Sequence, residues 1–314
     1  MCYTILEDND GGKMNKLNKV IKTTKFLTDL PYNHFNLENY FSILQKNKLN
    51  PITIDTEKNQ PIKLMSGNNF YARIVTSNYN SKIKERKIYI VGKGILFDSG
   101  GYNLKTGRNG PYGMHDDKAG MIIAMNVANY FKGNVIAYCP VTTNFIHNSK
   151  IIPGDIIKIG KKNVKVTNTD AEGRLILAEA LSTLPITKSN IVITIATLTG
   201  AVSYAIGEEA TGVFSDNENL LRMYADASFE AKELAWGLPL WEHYQRKYYD
   251  KKLIKNSIDE IKCGATEAAL FVKQFVHNVK NWLHLDIASS AFNKDGKANG
   301  VPIKSLINFI KRLQ

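Results

Sequence analysis

Two carboxylates and a guanidinium at alternate positions, Asp170, Glu172 and Arg174, have the types and spacing that most directly suggest chemistry. If the stretch 166–181 (VTNTDAEGRLILAEAL) is extended at these residues, their side chains leave on one face and converge. Carboxylate oxygens are the ligands that hard divalent cations take. The alternative is a polar turn in which Thr169 or Asp170 caps the amphipathic helix that RLILAEAL predicts.

A second set of acids and lysines follows the short apolar run KIYIVG. Lys93 comes directly after this predicted strand, Asp98 lies five residues later among apolar neighbours, and Lys105 follows a pair of glycines. A glycine turn with solvated lysines is the simpler interpretation, but a buried Asp98 would need a partner for its charge. Asp116 and Asp117 precede the next predicted helix, where one of them could serve only as a cap.

Short apolar runs alternate with amphipathic stretches from residue 87 onwards, which is typical of buried strands alternating with helices. The predicted strands are 87–92, 135–140 and 191–198, the predicted helices are 118–131, 174–181, 220–236 and 267–279, and 155–166 predicts a hairpin turning at 160–163. Such a chain forms an α/β fold, with a mixed, largely parallel twisted sheet flanked by helices. Chemistry in these sheets lies beyond the carboxyl ends of the strands, where the Lys93, Asp170 and Thr197 loops are expected to lie.

The first fifty residues predict a tail and a helical connector. Residues 1–13 are expected to be disordered, 14–28 and 37–44 to be helical, and 52–64 and 69–76 to include short strands. We therefore divide the chain into a tail and connector at 1–50 and a catalytic domain at 51–314.

The composition indicates a globular protein of the cytoplasm. The 314 residues are 44% hydrophobic, which is enough for a large core, and no apolar run approaches the length of a membrane span. The N-terminus lacks the basic flank and apolar stretch of a signal peptide. Cys2, Cys139 and Cys263 lie far apart, and such a sparse, odd set favours a reducing compartment and disfavours a zinc finger.

A formal net charge of +12 raises the possibility of an anionic partner such as nucleic acid. The lysines are scattered, with modest clusters at 82–87 and 246–255, and no stacking aromatic pattern is interleaved with them. This distribution favours a solvated basic surface over a nucleic-acid site.

Several segments in the right order resemble the leucyl (cytosol) aminopeptidases, peptidase family M17. They are VGKGILFDSGGYNLK, MHDDKAG, NTDAEGRLILAEAL, ATLTGA and WLHLDIA, and NTDAEGRL is the family signature. The resemblance runs from about residue 14 to the C-terminus and implies a zinc-exopeptidase-like catalytic domain. Family members usually carry a further N-terminal domain, which this sequence is expected to lack.

The resemblance implies a site for two divalent metal ions, zinc first, with manganese, magnesium or cobalt able to substitute. By motif position, the metal ligands are Lys93, Asp98, Asp117, Asp170 and Glu172, and the catalytic residues are Lys105 and Arg174. Four carboxylates balance the charge of two dications, and Lys93 could ligate only as a neutral amine. A water bridging the two metals would be the nucleophile, Lys105 would stabilise the oxyanion, and Arg174 would hold a bicarbonate ion that shuttles the proton.

The resemblance also implies the pocket for the substrate side chain. Its residues are Met114, Thr197, Leu198, Gly200, Ala288 and Ala291. Three residues depart from the family pattern: His115 replaces a lysine, Lys118 an apolar residue, and Glu267 a small neutral residue. His115 could support the metal acids, whereas His284 is expected to be a core histidine, and the histidines lack the spacing of a zinc site.

The leading hypothesis is a metal-dependent aminopeptidase that releases leucine or another apolar residue from the N-terminus of peptides. Family enzymes are hexamers, so a homo-oligomer is expected. The alternative, motivated by the net charge, is a DNA-binding or structural protein on the same scaffold with little peptidase activity. Retention of every ligand type favours the enzyme.

Overall fold

The computed structural model describes residues 15–54, 65, 71–76, 87–107, 110, 112–147, 149–244, 249–250, 253–258, 262–277 and 279–314. The disorder predicted for 1–13 and much of 52–64 lie outside these residues. No helix in these ranges is long and apolar enough to cross a bilayer.

Helices and strands alternate along the described chain. The helices are α1 (Lys16–Asp29), α2 (Tyr40–Lys46), a 3₁₀ helix (Met114–Lys118), α3 (Ala119–Phe131), α4 (Glu172–Thr183), α5 (Ala201–Ile206), α6 (Glu218–Ala231), α7 (Gly264–Lys273) and α8 (Ile303–Leu313). The strands are β1 (Pro51–Ile54), β2 (Ala72–Thr76), β3 (Ile88–Gly92), β4 (Gly94–Asp98), β5 (Val135–Asn144), β6 (Ile156–Ile159), β7 (Lys162–Lys165), β8 (Ile191–Ala196), β9 (Thr211–Phe214), β10 (Ala235–Gly237), β11 (Tyr249–Asp250), β12 (Leu253–Lys255) and β13 (Trp282–Asp286).

Nine of the described strands form one mixed sheet in the order β1-β2-β5-β3-β8-β13-β9-β10, with β4 paired to β5. Its centre is parallel, from β5 through β3 and β8 to β13. Antiparallel pairs occur where β1 and β2 join one side and where β9 meets β13. The predicted mixed, largely parallel sheet is confirmed. A smaller sheet, β11-β12-β7-β6, contains the predicted hairpin between β6 and β7.

Helices cover both faces of the large sheet, and successive side chains of β3 show this because they enter opposite cores. Ile88 and Ile90 pack into a core shared with α1, α3, α6 and α8. Tyr89 and Val91 point the other way, into a core shared with α4 and α7. Because successive strand residues face opposite sides, an unbroken apolar run is what a strand buried on both faces requires.

Several predicted elements have different bounds in the structure, and the helix predicted over 267–279, for example, spans Gly264–Lys273. The helix predicted over 220–236 ends at Ala231, because Lys232 adopts a left-handed conformation with φ of 56°. Residues Ala235–Gly237 then pair in parallel with β9 as a strand. The strand predicted to end at Pro140 continues to Asn144, since β4 pairs with its last residues.

Candidate metal centre

Four strands that end at the same edge of the sheet position the candidate site. Lys93 follows β3, Asp98 ends β4, Asn144 ends β5, and Thr197 follows β8. These strands run parallel to one another, so their carboxyl ends meet at one edge, as expected for a functional site in an α/β sheet.

Three buried carboxylates form the centre of the site. Asp98, Asp117 and Glu172 each place one carboxylate oxygen within 4.8 Å of the others. Burial, together with the nearby charges of Glu172 and Asp117, raises the pKa of Asp98 to about 7, although Lys105 and Lys93 act to lower it. Burial also raises the pKa of Glu172. Such crowding of acids is costly unless cations neutralise it.

Two lysines contact these acids from different sides. Lys93 Nζ lies 2.8 Å from Asp117 Oδ2 and 2.9 Å from Glu172 Oε1. Lys105 Nζ lies 2.8 Å from Asp98 Oδ2 and 2.5 Å from Asp170 Oδ1. Burial lowers the pKa of each lysine, but the carboxylates outweigh burial and raise the pKa above its ordinary value.

The residues present fit divalent metal ions. The four carboxylates at Asp98, Asp117, Asp170 and Glu172 face two lysines, which leaves a formal charge of −2 in a largely buried place. Carboxylate oxygens are suitable donors for zinc, manganese and magnesium. The acidic cluster therefore supports divalent metal binding.

The stretch carrying Asp170, Glu172 and Arg174 is not extended, so the interpretation that they share one face of an extended segment is wrong. Helix α4 begins at Glu172, and its N-cap is Ala171, which makes no side-chain capping bond. Neither Thr169 nor Asp170 is therefore the predicted cap. Glu172 reaches the acids, whereas Arg174 Nη1 donates to the carboxylate of Glu267.

Two neutral side chains hold the acids in place. One of them, Asn144, was not predicted from the sequence. Asn144 Nδ2 donates to Asp98 Oδ1 at 2.7 Å and to the Thr169 carbonyl at 3.0 Å. Thr197 Oγ1 donates to Asp117 Oδ1 at 2.5 Å. Such hydrogen bonds orient metal ligands. A polar residue at the carboxyl end of the long strand β5 was the available signal for Asn144.

A cavity of about 560 Å³ opens beside the acids. Five of the six predicted substrate residues line it: Met114, Thr197, Leu198, Gly200 and Ala288. The sixth, Ala291, is 3% exposed and packs in the core instead. Phe292 and Asp116 also line the cavity, and the sequence did not single them out for this role.

Asp286 hydrogen-bonds residues that line this cavity, and it was not predicted from the sequence. It is fully buried, and its Oδ1 accepts from the backbone N–H groups of Leu198 and Ala288. Its Oδ2 accepts from Thr199 Oγ1 at 2.7 Å. Burial raises the pKa of Asp286 to about 6. The carboxylate thereby ties the loop after β8 to the loop after β13.

The histidines lie outside the acid cluster in the described part of the chain. His284 is fully buried, and its Nδ1 lies 2.9 Å from Thr194 Oγ1, which confirms the predicted core histidine. Burial, together with the charge of Lys118, lowers the pKa of His115 to about 4.

A buried acid cluster at the carboxyl edge of an α/β sheet is suited to binding divalent metal ions. The chain belongs to the cytosol aminopeptidase family: the catalytic domain of that family, Peptidase M17, matches residues 45–307.

Individual members of this family are similar to the chain in sequence. The probable cytosol aminopeptidase of Methylobacillus flagellatus is 36% identical over 251 residues, which are 76% of this chain and 49% of that protein. The cytosol aminopeptidase of Bos taurus is 38% identical over 242 residues, which are 73% of this chain and 46% of that protein. The chain thus spans about half the length of the curated relatives it matches.

Solved structures show a similar fold. The bottromycin maturation enzyme BotP superposes with a TM-score of 0.80 at 23% identity, covering 95% of this chain and 70% of that one. BotP in complex with Mn gives a TM-score of 0.81 at 22% identity, with the same coverage.

Proposed function

We propose that this protein is a metal-dependent aminopeptidase that hydrolyses the N-terminal residue from peptides. The observation that carries the proposal is the buried cluster of Asp98, Asp117 and Glu172, with Lys105 2.8 Å from Asp98. Membership of the cytosol aminopeptidase family supports the same reaction.

Two divalent ions, zinc first and manganese second, would be held by the acids and by one lysine. The proposed ligands are Lys93, Asp98, Asp117, Asp170 and Glu172. When bound, such ions lower the pKa of water and polarise the scissile carbonyl. Lys93, which contacts two of the acids, would serve as a neutral ligand because a bound dication lowers the pKa of its amine.

Lys105 is the proposed electrophilic residue. Its side chain is one-fifth exposed at the cavity, and its amine holds a positive charge between Asp98 and Asp170. A cation fixed there would stabilise the negative charge that develops on the carbonyl oxygen. The apolar surfaces of Met114, Leu198 and Phe292 suit the side chain of a leucine or similar N-terminal residue.

The bicarbonate ion expected at Arg174 does not fit the residues of this chain. The Glu267 carboxylate already lies 2.5 Å from Arg174 Nη1, and that nitrogen also donates to the Asn256 carbonyl. Bicarbonate therefore has no role in the proposed function.

The proposal extends to a homo-oligomer, a hexamer by family resemblance, acting on peptides in the cytoplasm. Phe229, Leu234 and Trp236 are 86%, 62% and 68% exposed and line one groove around α6 and β10, and a second copy of the chain could bury them. Sedimentation over a range of concentrations tests this part. A single monomeric species throughout would refute it.

Peptidase activity is tested with leucyl amides and a panel of dipeptides. We expect turnover that a chelator abolishes and that Zn²⁺ or Mn²⁺ restores. The Glu172→Gln variant, which removes one charged ligand, is the control and should stay inactive after metal is added. If folded, metal-loaded protein cleaves no member of the panel, the proposed function is wrong.

A further inference from the structure

A buried ion pair joins α4, two residues after Glu172, to α7. Arg174 on α4 and Glu267 on α7 are 6% and 5% exposed, and Nη1 lies 2.5 Å from Oε2. The two residues are 93 positions apart, so only the packing of α4 against α7 brings them together.

A buried guanidinium must have an anion beside it, because burying its charge without one is very costly. In this chain the anion is part of the protein. A dissolved anion at the same nitrogen would meet the Glu267 carboxylate at close range, and two like charges at one buried site repel each other.

The ion pair is joined to the backbone that carries the proposed metal ligands. Arg174 Nη1 also donates to the Asn256 carbonyl at 2.8 Å. Asn256 Nδ2 donates to the Asn168 carbonyl at 2.7 Å, and its Oδ1 accepts from the Thr167 N–H at 2.7 Å. These bonds hold the loop that leads into Asp170 and α4. A change at the ion pair should therefore alter the geometry of the proposed metal site.

We propose that Glu267 supplies, from within the chain, the anion that Arg174 requires, so that peptide hydrolysis here is independent of dissolved bicarbonate. The inference rests on the proposed aminopeptidase function. Its corollary is a latent binding site: removal of the Glu267 carboxylate leaves a buried cation beside a vacated volume, which suits a small planar oxyanion such as bicarbonate or formate. Glu267 is a positioning residue, since it acts through Arg174.

The first arm of the test measures leucyl-amide turnover in carbonate-free buffer, with and without added bicarbonate. The wild-type protein should respond by less than about twofold. Glu267→Ala should lose about tenfold to 10²-fold in turnover, since small displacements of reacting groups have effects of that size. Added formate or bicarbonate should restore most of the loss, with saturation.

Two variants serve as controls. Glu233→Ala removes a carboxylate that accepts from the Ser305 hydroxyl and N–H. This change leaves no buried cation without its partner, so the variant should give no response to anions. In the double variant Arg174→Met/Glu267→Ala the rescue should disappear. Bicarbonate activation of the wild type, or a folded Glu267→Ala variant that no anion rescues, would overturn the inference.

A second arm is independent of peptidase activity. Formate or bicarbonate should raise the melting temperature of Glu267→Ala more than that of the wild type or of Glu233→Ala. If the wild type proves inactive, the proposed function fails while this comparison still decides the anion site. If Glu267→Ala does not fold, Glu267→Gln is measured in the same way, and an equal anion response in both it and the wild type counts against the inference.

Discussion

Gly173 lies against the end of the Lys93 side chain. A β-carbon on Gly173 would fall 2.7 Å from Lys93 Cε and 2.9 Å from Lys93 Nζ, closer than real β-carbons come to other atoms. The close contact arises because Gly173 is in the first turn of α4, next to Glu172, whose carboxylate holds the Lys93 amine. The amine thus sits between the helix and the acids.

Gly173→Ala should displace Lys93 while leaving the fold intact, because the contact is with the mobile end of a side chain and alanine favours a helix. We expect metal affinity and leucyl-amide turnover to fall by about tenfold or more. Metal titration and circular dichroism check this. Gly237→Ala is the control, since its nearest new contact is an ordinary 3.9 Å. Equal metal affinity in both variants would contradict the proposed role of Lys93.

Variants of Lys105 and Glu172 should distinguish a loss of catalysis from a loss of bound metal. Lys105→Met removes a cation from the cavity but no proposed ligand, so the metal content should stay and turnover should fall by about 10²-fold or more. Glu172→Gln removes a charged member of the acid cluster and should lose metal. Elemental analysis and kinetics on both variants check this. If the two behave alike, the division of roles is wrong.

His284 should make the protein less stable in mild acid. It is fully buried between Phe214 and Trp282, and burial lowers its pKa to about 3. The unfolded chain therefore binds the proton more readily, and stability is lost as pH falls below about 6.5 towards 3.

The comparison is with His284→Gln, which cannot take up that proton. Between pH 7.5 and 5.5 the metal-free wild type should lose about 1.4 kcal/mol more unfolding free energy than the variant. Urea unfolding at the two pH values measures it. Parallel losses in both proteins would show that His284 does not carry the effect.

Lys118 should be essential to the docking of α1. Its side chain is fully buried, and Nζ donates to the carbonyls of Thr28 and Leu30 at the end of α1 and to that of His115. Lys118→Met fills a similar volume but leaves those carbonyls without their donor, at a cost of about 3 kcal/mol. Urea unfolding measures this. The exposed Lys304→Met is the control, and equal stability of the two variants would refute the prediction.

Local pattern in the sequence was enough for the class of the fold and for the central strands β3, β5 and β8. The run at 88–91 is apolar at every position because β3 is buried on both faces, and such a run by itself predicts a strand in an α/β fold. The placement of the Lys93 and Thr197 loops follows from the same pattern, since loops after parallel strands meet at one edge. The family motif added the ligand assignments, which remain proposals.

Only the tertiary structure decided which charges are paired with which. Glu172 turned out to open a helix, and Arg174, two residues later, lies against Glu267 rather than in the cavity. The hydrogen bonds by which Asn144 and Asp286 support the site are evident only in the structure, because strands distant in sequence place these residues beside their partners. Sequence periodicity indicates which face of an element is buried. The pairing of charges depends instead on how separate elements pack, and no local sequence pattern encodes that packing.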